Sequence, residues 1–171
     1  MNTSTTTLDN TVVGRESGRV FLVVVDDSDE LAGVLRYACN RARHTGGKIA
    51  LLYVIDMESS KDFQHWQFVG NLMEEEAQET AENTLSRHAA QISKESGSSP
   101  DQYVRNGNVQ DELFHLVKEH PDISILLLGS APGEKPGPLV EAVTGKHAGQ
   151  IGIPVTIVPG SLSNDEIDRL T

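Results

Sequence analysis

Two carboxylates and a hydroxyl, Asp26-Asp27-Ser28, directly follow an apolar run that starts at Val20. The run lacks an alternation of apolar and polar residues, which is typical of a parallel strand covered on both faces. In an open α/β sheet, the carboxyl end of such a strand borders the crevice in which ligands bind. Asp26 is therefore the first candidate for a functional residue.

Two further strand ends carry residue types suited to ligand binding. One apolar strand ends in Val54-Ile55-Asp56, and another ends in Gly129-Ser130 and opens the loop GSAPGEKPGP. Glycines at this loop, Gly129, Gly133 and Gly137, would let the backbone approach a phosphate closely, and the helix that follows offers N-terminal amides to an anion. The alternative is a turn-rich surface loop that needs glycine only for its φ angles.

Five strands and four helices must position these residues. Strand-like runs are predicted at Arg19–Asp26, Lys48–Ile55, Gln102–Asn106, Ile123–Gly129 and Ile153–Val158. Helical patterns lie between them, at Asp29–His44, Leu72–Glu95, Val109–His120 and from Pro138 onward. This alternation predicts an α/β fold with a single open five-stranded parallel sheet and helices on both faces.

Local signals predict where the helices begin and end. Asp27 with Glu30 three residues later resembles a capping box for the first helix, which Gly46-Gly47 would end. Asn108 is predicted to cap the third helix. Met57–Gly70, which contains the only Trp, is longer than a connection of this kind needs. It is interpreted as a lid or an interface patch, or alternatively as an extended helix start that covers the sheet.

Composition excludes several classes of function. The 171 residues suit one domain, and 14 Lys and Arg against 25 Asp and Glu leave a net charge of −11, the wrong sign for nucleic acid. Cys39 is the only cysteine, and the six histidines include no pair four residues apart, so neither a disulfide nor a metal site is predicted. The first 18 residues lack a charged segment followed by an apolar one, and no apolar stretch reaches membrane-spanning length, so neither a signal segment nor a membrane helix is expected. Residues 1–18 are expected to be a loose tail, and residues 160–171 a polar tail with a helical turn from Ser163.

Four segments, in this order along the chain, carry a family resemblance: VVVDDS, YVRNGNVQDEL, ISILLLGS and IPVTIVP. Together they resemble the universal stress protein family over roughly Arg19–Pro159. The resemblance implies a sheet of strand order 3-2-1-4-5 and a cytoplasmic, stress-induced homodimer, in some members with bound ATP. It also implies that Asp26 lies near ribose and phosphate, that the Val54 backbone meets adenine, and that Gly129-Ser130 and the following loop hold phosphates.

The loop departs from the pattern of the ATP-binding members, G-x2-G-x9-G-[S/T], at each of its glycines. Prolines at 132, 136 and 138 have no amide hydrogen to donate, and Asp27 replaces the family's glycine and adds negative charge. The sequence therefore predicts a binding and signalling module with a degenerate nucleotide-binding loop and no catalytic residue. The alternative is an ATP-binding universal stress protein with slow hydrolysis. A small nucleotide-dependent hydrolase is a further interpretation, in which Asp26 and Asp27 could hold magnesium, but the loop supplies no Lys or Arg except Lys135.

A phosphorylated receiver domain is the competing interpretation from another class, because an acidic magnesium pocket can also begin with VVVDDS. It requires an Asp after the third strand and a Lys after the fifth, whereas Asp56 follows the second strand and Pro159-Gly160 follows the last.

The last strand, Ile153–Val158, is apolar and β-branched and would lie at a sheet edge. We therefore expect a homodimer paired through this strand, with further protein partners that the sequence does not identify.

Overall fold

The computed structural model describes residues 18–56 and 70–171. Its elements in chain order are β1 Val20–Val24, α1 Leu31–Thr45, β2 Lys48–Ile55, α2 Gly70–Ser96, β3 Asp101–Asn106, α3 Val109–Glu119, β4 Ile123–Ser130, α4 Pro138–Thr144, β5 Val155–Pro159 and α5 Asn164–Leu170. The strands are parallel and form one sheet of order β3-β2-β1-β4-β5. The predicted fold class and strand order are confirmed. Residues 1–17 of the predicted tail, and the predicted lid or interface segment as far as residue 69, lie outside the described residues.

Strand β1 occupies the centre of the sheet, and all five of its residues are buried. On one face its side chains pack with those of α3 and α4, in a cluster that includes Leu22, Leu52, Leu116, Leu126 and Val140. On the other face they pack with α1 and α2, in a cluster that includes Phe21, Val23, Leu35, Leu85 and Leu127. Because both faces are covered, polar residues have no place along β1, which explains its continuous apolar sequence.

The predicted start of α1 is wrong. Glu30, and not Asp27, is the N-cap, and it makes no side-chain hydrogen bond to the helix. The chain is still in a turn at Asp27, because Asp26 Oδ1 accepts hydrogen bonds from the backbone N and the Oγ of Ser28 at 3.0 and 2.6 Å. The Leu31 backbone N then donates to the Ser28 carbonyl. The capping box is replaced by a side-chain turn one residue earlier.

Other local signals are confirmed. Asn108 caps α3, and its Oδ1 accepts hydrogen bonds from the backbone N of Gln110 and of Asp111. Gly46 ends α1 in the left-handed conformation, at a φ of 67°.

None of the helices among the described residues is long and apolar enough to cross a membrane.

The C-terminal segment forms a two-turn helix, α5, which packs against α1. Ser163 and Glu166 make a capping box at its start, so the predicted turn from Ser163 is confirmed. Ile167 is buried, and Asp168 accepts a hydrogen bond from Arg36 Nε at 2.7 Å and one from Asn40 Nδ2 at 2.9 Å. These contacts join the chain after β5 to the helix that follows β1.

The contacts of Asp168 predict an acid-sensitive α5. Hydrogen bonds from Arg36 and Asn40 lower the pKa of Asp168 from 3.8 to about 2. Since the folded pKa is depressed, the pair stabilises the folded state above the unfolded pKa and loses this effect as the pH falls towards 2. In thermal unfolding followed by circular dichroism, we expect the Tm of the wild type to fall more steeply from about pH 4 to about pH 2 than that of Asp168→Asn. Parallel curves would contradict a contribution from this pair.

Candidate functional site

A crevice of about 690 Å³ opens at the carboxyl ends of β1, β2 and β4. The N-terminal ends of α1, α3 and α4 form its rim. The crevice exists because α1 packs on one face of the sheet while α3 and α4 pack on the other, so the strand ends between them are left uncovered. This is the topological switch point at which open parallel sheets bind ligands.

The structure brings four of the six predicted site residues to this crevice. Asp26, Val54, Gly129 and Gly137 line it. Ser130 and Gly133 are not among its described lining residues. The Ser130 carbonyl accepts a hydrogen bond from the Gly160 backbone N at 2.8 Å and so faces β5, while Gly133 lies further along the loop at a φ of +109°.

The start of α4 is expected at the site from the sequence, but the parts of the lining that come from the starts of α1 and α3 are not. Asn108, Val109 and Gln110 enter from α3, and Glu30 enters from α1. Asn108 follows the end of β3 at the same edge of the sheet as Asp26 and Asp56, so the strand-end argument used for those residues could have found it. Glu30 had no such signal, because its place depends on how α1 packs on β4.

Glu30 and Gly129 are in close contact. A Cβ atom added to Gly129 would lie 2.6 Å from Glu30 Cβ and 3.1 Å from Val34 Cγ2. A Cβ atom added to Gly160, which follows β5, would lie 2.6 Å from Glu30 Cγ. The absence of a side chain at these two glycines is therefore what allows the first turn of α1 to approach β4 and β5. Glu30 is held between them at the edge of the crevice.

The lining combines an apolar wall with acidic side chains. The apolar residues include Val24, Leu31, Val54, Val109, Leu127 and Leu139, and the acidic ones are Asp26, Asp27, Glu30 and Asp56. Within the described lining there is no Lys or Arg. The described residues also contain no group of three His, Cys, Asp or Glu side chains placed to hold a metal ion.

Several backbone donors near the crevice are absent or already in use. The prolines at 132, 136 and 138 have no amide hydrogen, and the Ala131 N–H donates to the Pro136 carbonyl at 3.2 Å within the loop. The N–H groups of Gln110 and Asp111, in the first turn of α3, donate to Asn108 Oδ1. The loop and the start of α3 therefore offer an anion fewer donors than their glycines and helix position suggest.

Cys39 lies away from the crevice on α1. It is buried, and this burial, with a smaller contribution from Glu95, raises the pKa of its thiol to about 11. The thiol is protonated at neutral pH and packs as a small apolar residue.

Comparisons with known proteins agree on a single family. The model of the universal stress protein family matches residues 18–159. No curated protein sequence matches the chain. Among solved structures, universal stress protein UspA from Lactobacillus plantarum has a TM-score of 0.67 at 19% identity, covering 82% of this chain and 97% of that one.

Two other similar structures contain nucleotides. A universal stress protein in complex with cAMP has a TM-score of 0.54 at 15% identity, covering 84% of this chain and 98% of that one. The universal stress protein from Archaeoglobus fulgidus in complex with dAMP has a TM-score of 0.52 at 20% identity, covering 82% of this chain and 96% of that one. At these identities the likeness shows the shared fold.

Proposed function

Because this chain belongs to the universal stress protein family, we propose that it is a binding and signalling module of the stress response whose crevice holds an adenine nucleotide weakly. The observation that carries the proposal is the crevice at the switch point, in which Asp26, Val54 and Gly129 come together from three strands. Its volume of about 690 Å³ lies in the range of small-molecule sites. The nucleotide complexes of two proteins of the same fold support the choice of ligand.

The lining suggests how the nucleotide would lie. Val54, Val109 and Leu139 form an apolar surface for the base. The carboxylate of Asp26, oriented by its hydrogen bonds from Ser28, would accept a hydrogen bond from a ribose hydroxyl. The phosphates would then point towards Gly129 and the loop that ends at Gly137. In this pose Ser130 and Gly133 lie at the outer end of the phosphate region.

We regard the loop as degenerate for phosphate binding. Three prolines and the Ala131 to Pro136 hydrogen bond leave few amides for the anion. ATP with magnesium and slow hydrolysis is the alternative ligand and activity. It would require a cation between the triphosphate and the acidic side chains Asp26 and Asp27, which would reverse the local repulsion.

The proposed module is a cytoplasmic homodimer paired through β5. In the described sheet β5 hydrogen-bonds to β4 on one side and is an edge on the other. Ile157, on this strand, is 36% exposed. An apolar edge strand of this kind pairs readily with a second chain.

Nucleotide binding can be tested by calorimetry. Mass spectrometry of the purified, denatured protein can also detect a nucleotide that co-purifies with it. We expect a Kd for ATP with magnesium of millimolar to tens of micromolar, or roughly −4 to −7 kcal/mol. Ala131→Phe places a ring at the lining of the crevice and should abolish binding. Ala90→Phe adds the same atoms at an exposed position of α2 and should leave binding unchanged. Submicromolar affinity would contradict the degenerate loop, and binding that survives Ala131→Phe would place the ligand elsewhere.

A further inference from the structure

The described crevice lining has one sign of charge. Its four acidic side chains come from the turn after β1, the start of α1 and the end of β2, and no Lys or Arg stands among them. Lys135, in the loop that would face the phosphates, is exposed and is not a lining residue. A ligand that enters this crevice therefore meets a negative potential beside an apolar wall.

Glu30 is the acidic residue whose position is most constrained. Gly129 and Gly160 pack against its Cβ and Cγ from two strand ends, and Gly160 is itself held by the hydrogen bond of its backbone N to the Ser130 carbonyl. Glu30 makes no capping bond to α1, although it occupies the N-cap position. Its side chain lies against Gly129, beside which the proposed pose puts the phosphates.

Asp27 adds a second carboxylate to the lining of the crevice. It follows Asp26 in the turn after β1, and its side chain is exposed where Glu30 is half-buried. Whereas the Asp26 carboxylate holds the turn through Ser28, Asp27 does not supply the α1 cap that its sequence position suggests. The charges of Asp27 and Glu30 thus contribute to the crevice, and not to capping the helix.

We propose that the crevice selects its ligand by charge: without a divalent cation it binds a nucleoside or a singly charged nucleotide more tightly than a nucleoside triphosphate, and Asp27 and Glu30 determine this specificity. The inference rests on the proposed function, because it takes the crevice as a nucleoside site. In each of these ligands the base contacts the apolar wall and the ribose contacts Asp26. Each added phosphate charge brings further repulsion from two carboxylates that the lining does not neutralise.

Calorimetry with adenosine, cAMP and ATP, without divalent cations and at low ionic strength, tests this selection. For the wild type we expect adenosine and cAMP to bind at least about tenfold more tightly than ATP. Asp27→Asn and Glu30→Gln should each strengthen ATP binding by about tenfold and leave the Kd for adenosine unchanged. Glu79→Gln, on the exposed face of α2, makes the same change in net charge away from the crevice and should change neither Kd.

The possible failures are distinct. If ATP binds the wild type as tightly as adenosine does, or if the two crevice variants leave ATP binding unchanged, charge selection is wrong while the proposed nucleoside site stands. If Glu79→Gln strengthens ATP binding as much as Asp27→Asn does, net charge and not the crevice residues is responsible, and the assignment to Asp27 and Glu30 is overturned. If none of the three ligands binds, the proposed function fails and this inference fails with it.

Discussion

Replacing Ile157 with lysine is expected to convert a dimer of this protein into a monomer. Ile157 is 36% exposed on β5, an edge strand of the described sheet, and the apolar run continues through Val158. Pairing of two β5 strands would bring two copies of position 157 close together. Two lysines there would repel each other and would have to lose water, which is how natural edge strands avoid pairing.

Light scattering at micromolar concentration measures the effect directly. The wild type should give the mass of a dimer and Ile157→Lys the mass of a monomer. Leu170→Lys is the matched control, because Leu170 is 63% exposed on α5 and carries the same change in side chain away from the edge strand. A monomeric wild type would contradict the dimer. A dimeric Ile157→Lys would show that the copies pair through another surface.

Gly129→Val is expected to destabilise the whole domain and to remove ligand binding with it. The new Cβ would lie 2.6 Å from Glu30 Cβ and 3.1 Å from Val34 Cγ2, and Val34 is itself buried. The first turn of α1 would have to move away from β4. Overpacking of this kind costs about 1–3 kcal/mol in unfolding free energy.

Denaturant unfolding measures this loss, with Gly149→Val as the control. A Cβ at Gly149 would meet no atom within 4 Å, so that variant tests the same change of residue type in open space. The new side chain would press on α1, so a loss of ligand binding in Gly129→Val would report the displaced helix as well as the blocked crevice. An unfolding free energy equal to that of the wild type would show that α1 yields without cost.

Most of the fold could be predicted from the sequence because its signals are local. The continuous apolar sequence of β1 indicates that both faces of the strand are covered. The alternation of strands with helices along the chain indicates a parallel sheet. The cap at Asn108 depends on the amides two and three residues further on. The candidate crevice follows from the same logic, since the ends of parallel strands meet at one edge of the sheet.

The tertiary structure decided what lies within that crevice and what faces away from it. Glu30 lines it because Gly129 and Gly160, about 100 and 130 residues away in the chain, leave room for it. The Ser130 carbonyl accepts its hydrogen bond from Gly160, after β5, and Asp168 contacts Arg36, 132 residues away in the chain. Such contacts depend on how the helices pack on the sheet. Their geometry is set by packing between distant segments, and no local pattern of residues encodes it.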